Sequence, residues 1–288
     1  MTLLAELTAS PELEVTTSAG RTGMRTIDDG LADTWFRTLN RSPEPRARLV
    51  CFPHAGGTAS FYRSWPQNLP QDIEVSAVRY PGREDRFLES PADAMEQLVE
   101  PIAQACSQLL DRPLGFFGHS MGASVAYEVA LRLQKQAKPP LSVLFVSSHS
   151  APGQGLKGRR LAESSDLEML KHVGLLGGTN EQALANEELW ELVLPAIRAD
   201  YQLIENYQSS SEGCALEVPI VAYYGTLDND LDEGDVKAWS AVTRSTFEVH
   251  PFEGGHFYLM DSLEKFLEDL YARFALFSRP LNGSVGEA

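Results

Sequence analysis

Ser120 lies at the centre of Gly118-His-Ser-Met-Gly122, a G-x-S-x-G turn. A serine hydroxyl is a weak nucleophile until a base removes its proton, and the base needs a carboxylate to orient it. Where the serine sits on a strand-to-helix elbow, the partners follow in the order Ser, Asp or Glu, then His. The chain has six histidines. His54, His119, His149 and His172 come too early for that order or fall in a helical insertion, and His250 ends a strand. His256 follows Gly254-Gly255 in a loop that opens the last helix, so it can reach back over a sheet edge as the base. The carboxylate should follow the strand before it. Gly225-Thr-Leu-Asp-Asn-Asp-Leu-Asp232 offers Asp228, Asp230 and Asp232. Asp228 is nearest the strand end and is the expected partner, while Asp230 or Asp232 can cap the helix that follows.

A tetrahedral oxyanion needs donors as well. One is the backbone N–H of Met121, directly after the nucleophile. The other should come from the loop after the first strong strand, Pro53-His-Ala-Gly-Gly57, with Ala55 as the donor.

These residues need elements to position them. Leu114 to Phe117 is a short apolar run suited to a buried strand. Val125, Ala126, Val129, Ala130 and Leu133 recur at helical spacing after the turn. Further strands are expected over 47–52, 73–78, 141–147, 218–224 and 246–250. Helices are expected from about Phe61 through Trp65 to Leu69, over 94–110 and over 263–277. Strands alternating with helices give an α/β fold, a mostly parallel sheet covered on both faces. The segment 151–211 shows no strand pattern, carries apolar residues at helical spacing and is long for a crossover. It reads as a helical lid over the C-terminal edge of the sheet, where sites lie in such folds. Residues 33–277 then form one domain. Residues 1–32 and 278–288 read as disordered ends.

Composition narrows the classes. The chain has 288 residues, 43% hydrophobic, with a formal net charge of −16. Such a surface repels nucleic acid and anionic lipid. Cys51, Cys106 and Cys214 have no metal-like spacing and suit a reducing compartment. With no leader or membrane-spanning run, a cytoplasmic location is expected.

Phe52-Pro-His-Ala-Gly-Gly57, Tyr80-Pro-Gly-Arg83, Gly118-His-Ser-Met-Gly122 and Gly254-Gly-His-Phe257, in this order, resemble the type II thioesterases. These are stand-alone editing enzymes of polyketide and non-ribosomal peptide assembly lines. The resemblance runs from about Trp35 to the last helix and implies the α/β-hydrolase fold. It implies hydrolysis of acyl thioesters on the phosphopantetheine arm of acyl- or peptidyl-carrier proteins, with no metal or cofactor. It also implies Ser120 as nucleophile, His256 as base, Asp228 as its partner, and Met121 and Ala55 as oxyanion donors. Family members often have Pro soon after the Asp, whereas this chain has Asn229-Asp230. An acidic carrier approaching an acidic enzyme needs a local basic patch. Arg79, Arg83 and Arg86, or Lys157, Arg159 and Arg160, are the candidates. The same triad would serve a carboxylesterase or lipase. An acyltransferase shares the serine motif but lacks the late strand–Asp–loop–His order, and a non-catalytic binding protein would have no use for the triad.

Overall fold

The computed structural model describes residues 27–136, 141–154, 160–177, 187–209 and 214–278. Seven strands form one sheet: β1 (Phe36–Thr38), β2 (Ala47–Phe52), β3 (Ile73–Val78), β4 (Leu114–His119), β5 (Val143–Ser147), β6 (Ile220–Gly225) and β7 (Phe247–Phe252). Their order is β1-β3-β2-β4-β5-β6-β7, with β1 antiparallel to β3 and every other pair parallel.

Strand alternation divides the core into two layers. Val50, Phe52 and Phe116 point to one face, where they meet helices α2 (Met95–Cys106) and α3 (Met121–Gln134). Leu49, Cys51 and Phe117 point to the other. There Phe266, Leu267 and Phe274 of the C-terminal helix Leu263–Phe277 cover them. Both faces of the central strands are buried, which is why they read as unbroken apolar runs.

Two expectations are corrected. The stretch around Phe61 and Trp65 is two 3-10 turns, Ala59–Tyr62 and Trp65–Asn68, rather than one helix. Pro66 has no N–H to donate, and its ring clashes with a preceding carbonyl, so a continuous helix is interrupted there. At the N-terminal end, order begins before residue 33. Ile27–Trp35 is helix α1, with Leu31 and Ala32 packed on the core and the Arg86 guanidinium 4.2 Å from the Trp35 ring centroid. Apolar side chains docked on the body hold this short helix in place, an effect that local composition does not reveal. Residues 1–26 and 279–288, the rest of the two expected disordered ends, lie outside the described residues.

Between β5 and β6 the described chain forms α4 (Asp166–Leu176) and α5 (Glu187–Asn206). Ser165 and Glu168 make a capping box at the start of α4, and Gly177 ends it in the left-handed conformation (φ 90°). Met169, Trp190, Leu194 and Ile197 give the two helices a small core of their own. Among the described residues no helix is long and apolar enough to cross a membrane.

Candidate active site

Ser120 stands between β4 and α3 with φ 53° and ψ −127°, a conformation that costs a non-glycine residue energy. Neighbouring backbone holds it there. Ser120 N–H donates to the Ser147 carbonyl (2.8 Å), and Ala123 N–H donates to the Ser120 carbonyl (2.8 Å). The flanking glycines answer to sterics. A Cβ on Gly118 would lie 2.3 Å from the Gly122 carbonyl oxygen, and one on Gly122 would lie 2.1 Å from that of Phe52. The elbow is therefore pressed between its own helix and the end of β2. Met121, as the first residue of α3, has one of the N–H groups that a helix leaves without an internal partner.

The expected base and its expected carboxylate come from the loops after β7 and β6. His256 Nδ1 donates to Asp228 Oδ2 at 2.8 Å, and both side chains are buried. Asp228 Oδ1 accepts the Asp230 N–H (3.1 Å). The two loops are interlocked through backbone: a Cβ on Gly225 would lie 2.1 Å from the Gly255 carbonyl oxygen, and Leu227 N–H donates to the Gly254 carbonyl at 2.8 Å. Ser148 Oγ also donates to the His256 carbonyl (3.1 Å). The other two aspartates have separate work. Asp232 caps the short helix α6 (Glu233–Lys237) by accepting the Asp235 N–H at 3.0 Å. Asp230 Oδ2 lies 3.8 Å from His172 Nε2 on α4.

Ser120, Met121, Ala55 and His256 line one cavity of about 460 Å³. The insertion supplies its other side, with Leu161, Leu176, Tyr201 and Ile204. All five residues picked out by sequence thus meet at one place, with Asp228 just behind His256.

Three further histidines surround His256. The His119 ring centroid is 5.2 Å from that of His256, and His119 Nδ1 shares a hydrogen bond with Ser147 Oγ (2.9 Å). Burial, with repulsion from His256, pushes His119 well below the ordinary histidine range. The same causes take His54 down to about 3 and His149 to about 4. These rings stay neutral near pH 7, so they add no positive charge beside His256. Chain order alone gave no reason to place them here.

The expected basic patch does not stand free. Arg79 pairs with Asp85 (2.5 Å), Arg86 with Glu89 (2.6 Å), and Arg83 is buried against Asp200 of α5. Arg160 donates to Asn206 (2.6 Å) and lies 3.7 Å from Glu205. Lys157 and Arg159 lie outside the described residues. Among the described residues no set of three His, Cys, Asp or Glu side chains converges as metal ligands would.

Residues 47–274 match the thioesterase domain family. The chain is 36% identical over 245 residues to the thioesterase PikA5 of Streptomyces venezuelae, covering 85% of each protein. It is 32% identical to the gramicidin S biosynthesis protein GrsT of Aneurinibacillus migulanus, over 85% of this chain and 96% of that one. Among solved structures, the type II thioesterase BorB from the borrelidin biosynthetic cluster superposes with a TM-score of 0.77 at 35% identity, covering 84% of this chain and 98% of that one. The sheet order, the elbow and the inserted helices are those of an α/β-hydrolase, and the chain belongs to the thioesterase family, in its type II branch.

Proposed function

We propose that Ser120, His256 and Asp228 are the catalytic triad of this thioester hydrolase, with Ala55 and Met121 N–H groups as its oxyanion hole. The observation that carries the reading is the 2.8 Å His256–Asp228 hydrogen bond behind a serine held at a left-handed elbow. Ser120 Oγ attacks the thioester carbonyl while His256 takes its proton. The tetrahedral oxyanion rests on the two N–H groups. The C–S bond then breaks. A thiol with a pKa of about 8.5 leaves with less help than an alcohol, and His256 returns the proton to it. Water, deprotonated by His256, adds to the acyl-enzyme; the second tetrahedral intermediate collapses, His256 returns the proton to Ser120 Oγ, and the carboxylic acid leaves.

The substrate proposed is an acyl group on the phosphopantetheine arm of a carrier protein, cleared as an editing step in polyketide or non-ribosomal peptide synthesis. Names of the relatives tie them to such pathways: gramicidin S biosynthesis for GrsT and the borrelidin cluster for BorB. Room for an elongated substrate also supports it. A second cavity of about 880 Å³ adjoins the first, with His149, Arg160, Ile204 and Glu205 among the walls they share. The test is mass spectrometry of a panel of acyl-loaded carrier proteins. The wild type should release free carrier and Ser120→Ala should not. A strong preference for a matched p-nitrophenyl ester over every carrier thioester would overturn the substrate assignment.

A further inference from the structure

A buried charge pair joins the insertion to the loop that carries Ala55. Asp200 projects from α5 and its side chain is 1% exposed. Its Oδ2 accepts Arg83 Nη1 at 2.5 Å and its Oδ1 accepts Arg83 Nη2 at 2.8 Å, a two-pronged contact. Oδ2 also accepts the backbone N–H of Gly56 at 2.7 Å. Arg83 extends the grip, donating from Nη1 to the Gly57 carbonyl and from Nε to the Pro81 carbonyl, each at 3.3 Å. Its guanidinium lies 5.4 Å from the Tyr80 ring centroid, and the Tyr80 hydroxyl donates to the Pro53 carbonyl at 3.3 Å. Segment 53–57 is therefore held at Pro53, Gly56 and Gly57.

These contacts fix the direction of the Ala55 N–H. Peptide units are planar, so a plane is set once one of its polar groups is held. The plane between Ala55 and Gly56 is held through the Gly56 N–H on Asp200. The plane between His54 and Ala55 carries the Ala55 N–H, and its carbonyl accepts the Gly57 N–H at 2.8 Å. In a trans peptide the N–H points opposite to that carbonyl, so both planes flanking Ala55 are fixed. Gly56 is left-handed (φ 72°), and a Cβ there would lie 2.7 Å from Ile197 Cγ1 of α5. The insertion lies directly on this turn.

We propose that Asp200 is a positioning residue for the oxyanion hole: from α5 it holds the Gly56 N–H and, through Arg83, the turn that aims the Ala55 N–H at the reacting carbonyl. The hole is complete only while α5 is docked, so acceptance of an acyl chain under the insertion and stabilisation of the oxyanion are linked. The inference rests on Ala55 as an oxyanion donor.

The test compares wild type with Arg83→Met/Asp200→Leu and Asp200→Asn. The double variant replaces a buried ion pair by apolar groups of similar length and leaves no lone buried charge, a change that commonly preserves stability. Three quantities are read: the melting temperature, kcat and KM on an acyl N-acetylcysteamine thioester, and calorimetric affinity for an alkylboronic acid. The boronic acid adds to Ser120 Oγ, whose proton passes to His256, and one B–OH oxygen of the resulting tetrahedral boronate anion takes the oxyanion position. Loss of one oxyanion donor costs ~10²–10³ in rate, and a misaimed donor should cost about 10–100-fold. The double variant should melt near wild type, lose that factor in kcat with KM changed less than about threefold, and lose boronate affinity in step. Asp200→Asn keeps an acceptor for Gly56 and should recover most of kcat. A double variant with kcat and boronate affinity within twofold of wild type overturns the proposal, as does a rise in KM alone. Should the double variant melt too low to assay, Arg83→Lys decides. It keeps a cation beside Asp200 but loses the two-pronged grip and the Gly57 contact, so kcat and boronate affinity should fall together by about 3–10-fold with KM little changed; both within twofold of wild type, or a rise in KM alone, overturns the proposal. Boronate affinity does not depend on the acyl substrate. A wild type inactive on carrier thioesters would therefore defeat the substrate reading while still reporting on Asp200.

Discussion

The two walls of the cavity are built in different ways. On the sheet side, the Ser120 elbow and the His256 loop are held by backbone against backbone: Gly122 against Phe52, Gly225 against Gly255, Ser120 N–H on Ser147. On the insertion side, the loop of Ala55 is held by side chains that reach across from α5, chiefly Asp200 and its partner Arg83. Backbone contacts of the first kind tolerate almost no added atom, whereas a side-chain clamp releases when its own element shifts. Ser120 and His256 thus belong to the rigid sheet edge, and the Ala55 loop depends on the element that covers the cavity.

This contrast can be broken from the sheet side, where the largest effect is expected. Asp228→Asn keeps the shape of the site but lets an amide donor face His256 Nδ1, so the ring takes the wrong tautomer. Activity should fall by ~10⁴ with little change in melting temperature. Steady-state kinetics with a thermal melt checks both. If Asp228→Asn and Asp232→Asn lose activity equally, Asp228 is not the orienting carboxylate.

Next comes the steric lock itself. Gly122→Ala places a methyl group 2.1 Å from one backbone oxygen and 2.7 Å from the Pro53 carbonyl oxygen. Neither is a flexible side-chain tip, so β2 or α3 must move, and about 1–3 kcal/mol of stability should go with it. Gly255→Ala, where nothing lies within 4 Å, is the control and should melt close to wild type. Chemical denaturation of the pair reads the difference. Equal midpoints would mean that the elbow is as yielding as the insertion.

Acid sharpens the comparison further. His119 is fully buried on the sheet side and its pKa is depressed by burial. Below about pH 6.5 the unfolded chain takes up a proton that the folded protein refuses. The unfolded state then binds more protons, so this contribution to stability is whole above pH 6.5 and is lost as pH falls. The slope is at most about 1.4 kcal/mol per pH unit for one group. Melting temperature followed from pH 7 to 5 should drop, and His119→Gln should flatten the curve. An unchanged slope would show that His119 is charged when folded.

The smallest effect belongs to the helix cap. Asp232→Ala removes the acceptor for the Asp235 N–H and should cost ~1 kcal/mol while kcat stays within about twofold.

Much of this molecule could be read from its sequence because the relevant physics is local. A strand, a tight turn and a helix leave apolar periods and glycines within a few residues of Ser120. The Gly-Gly-His run is equally local. The chemistry of a triad also imposes a chain order on this fold, which singled out His256 among six histidines. The aspartates were less legible: three lie within seven residues after β6, and only the bond to His256 separates Asp228 from the capping Asp232. Local composition misjudged the first ordered residues, since α1 is held by docking Trp35 and not by its own helix propensity. The arginines of the Tyr80-Pro-Gly-Arg83 region read as surface charge. Whether such a charge is free or buried depends on what arrives from elsewhere in the chain.

Asp200 is 117 residues from Arg83 and lies in a helix whose amphipathic pattern says nothing of a buried acid on one face. Such a pairing leaves no period, no glycine and no spacing rule in either segment. The sequence by itself determined the strand–turn–helix around Ser120, the Gly-Gly-His loop and the doubly covered sheet, because each follows from contacts within a turn or a strand. Only the tertiary structure decided which carboxylate bonds to His256, which histidines are held neutral around it, and that the loop of Ala55 is held from the insertion. Each of those depends on burial and on neighbours brought from distant parts of the chain.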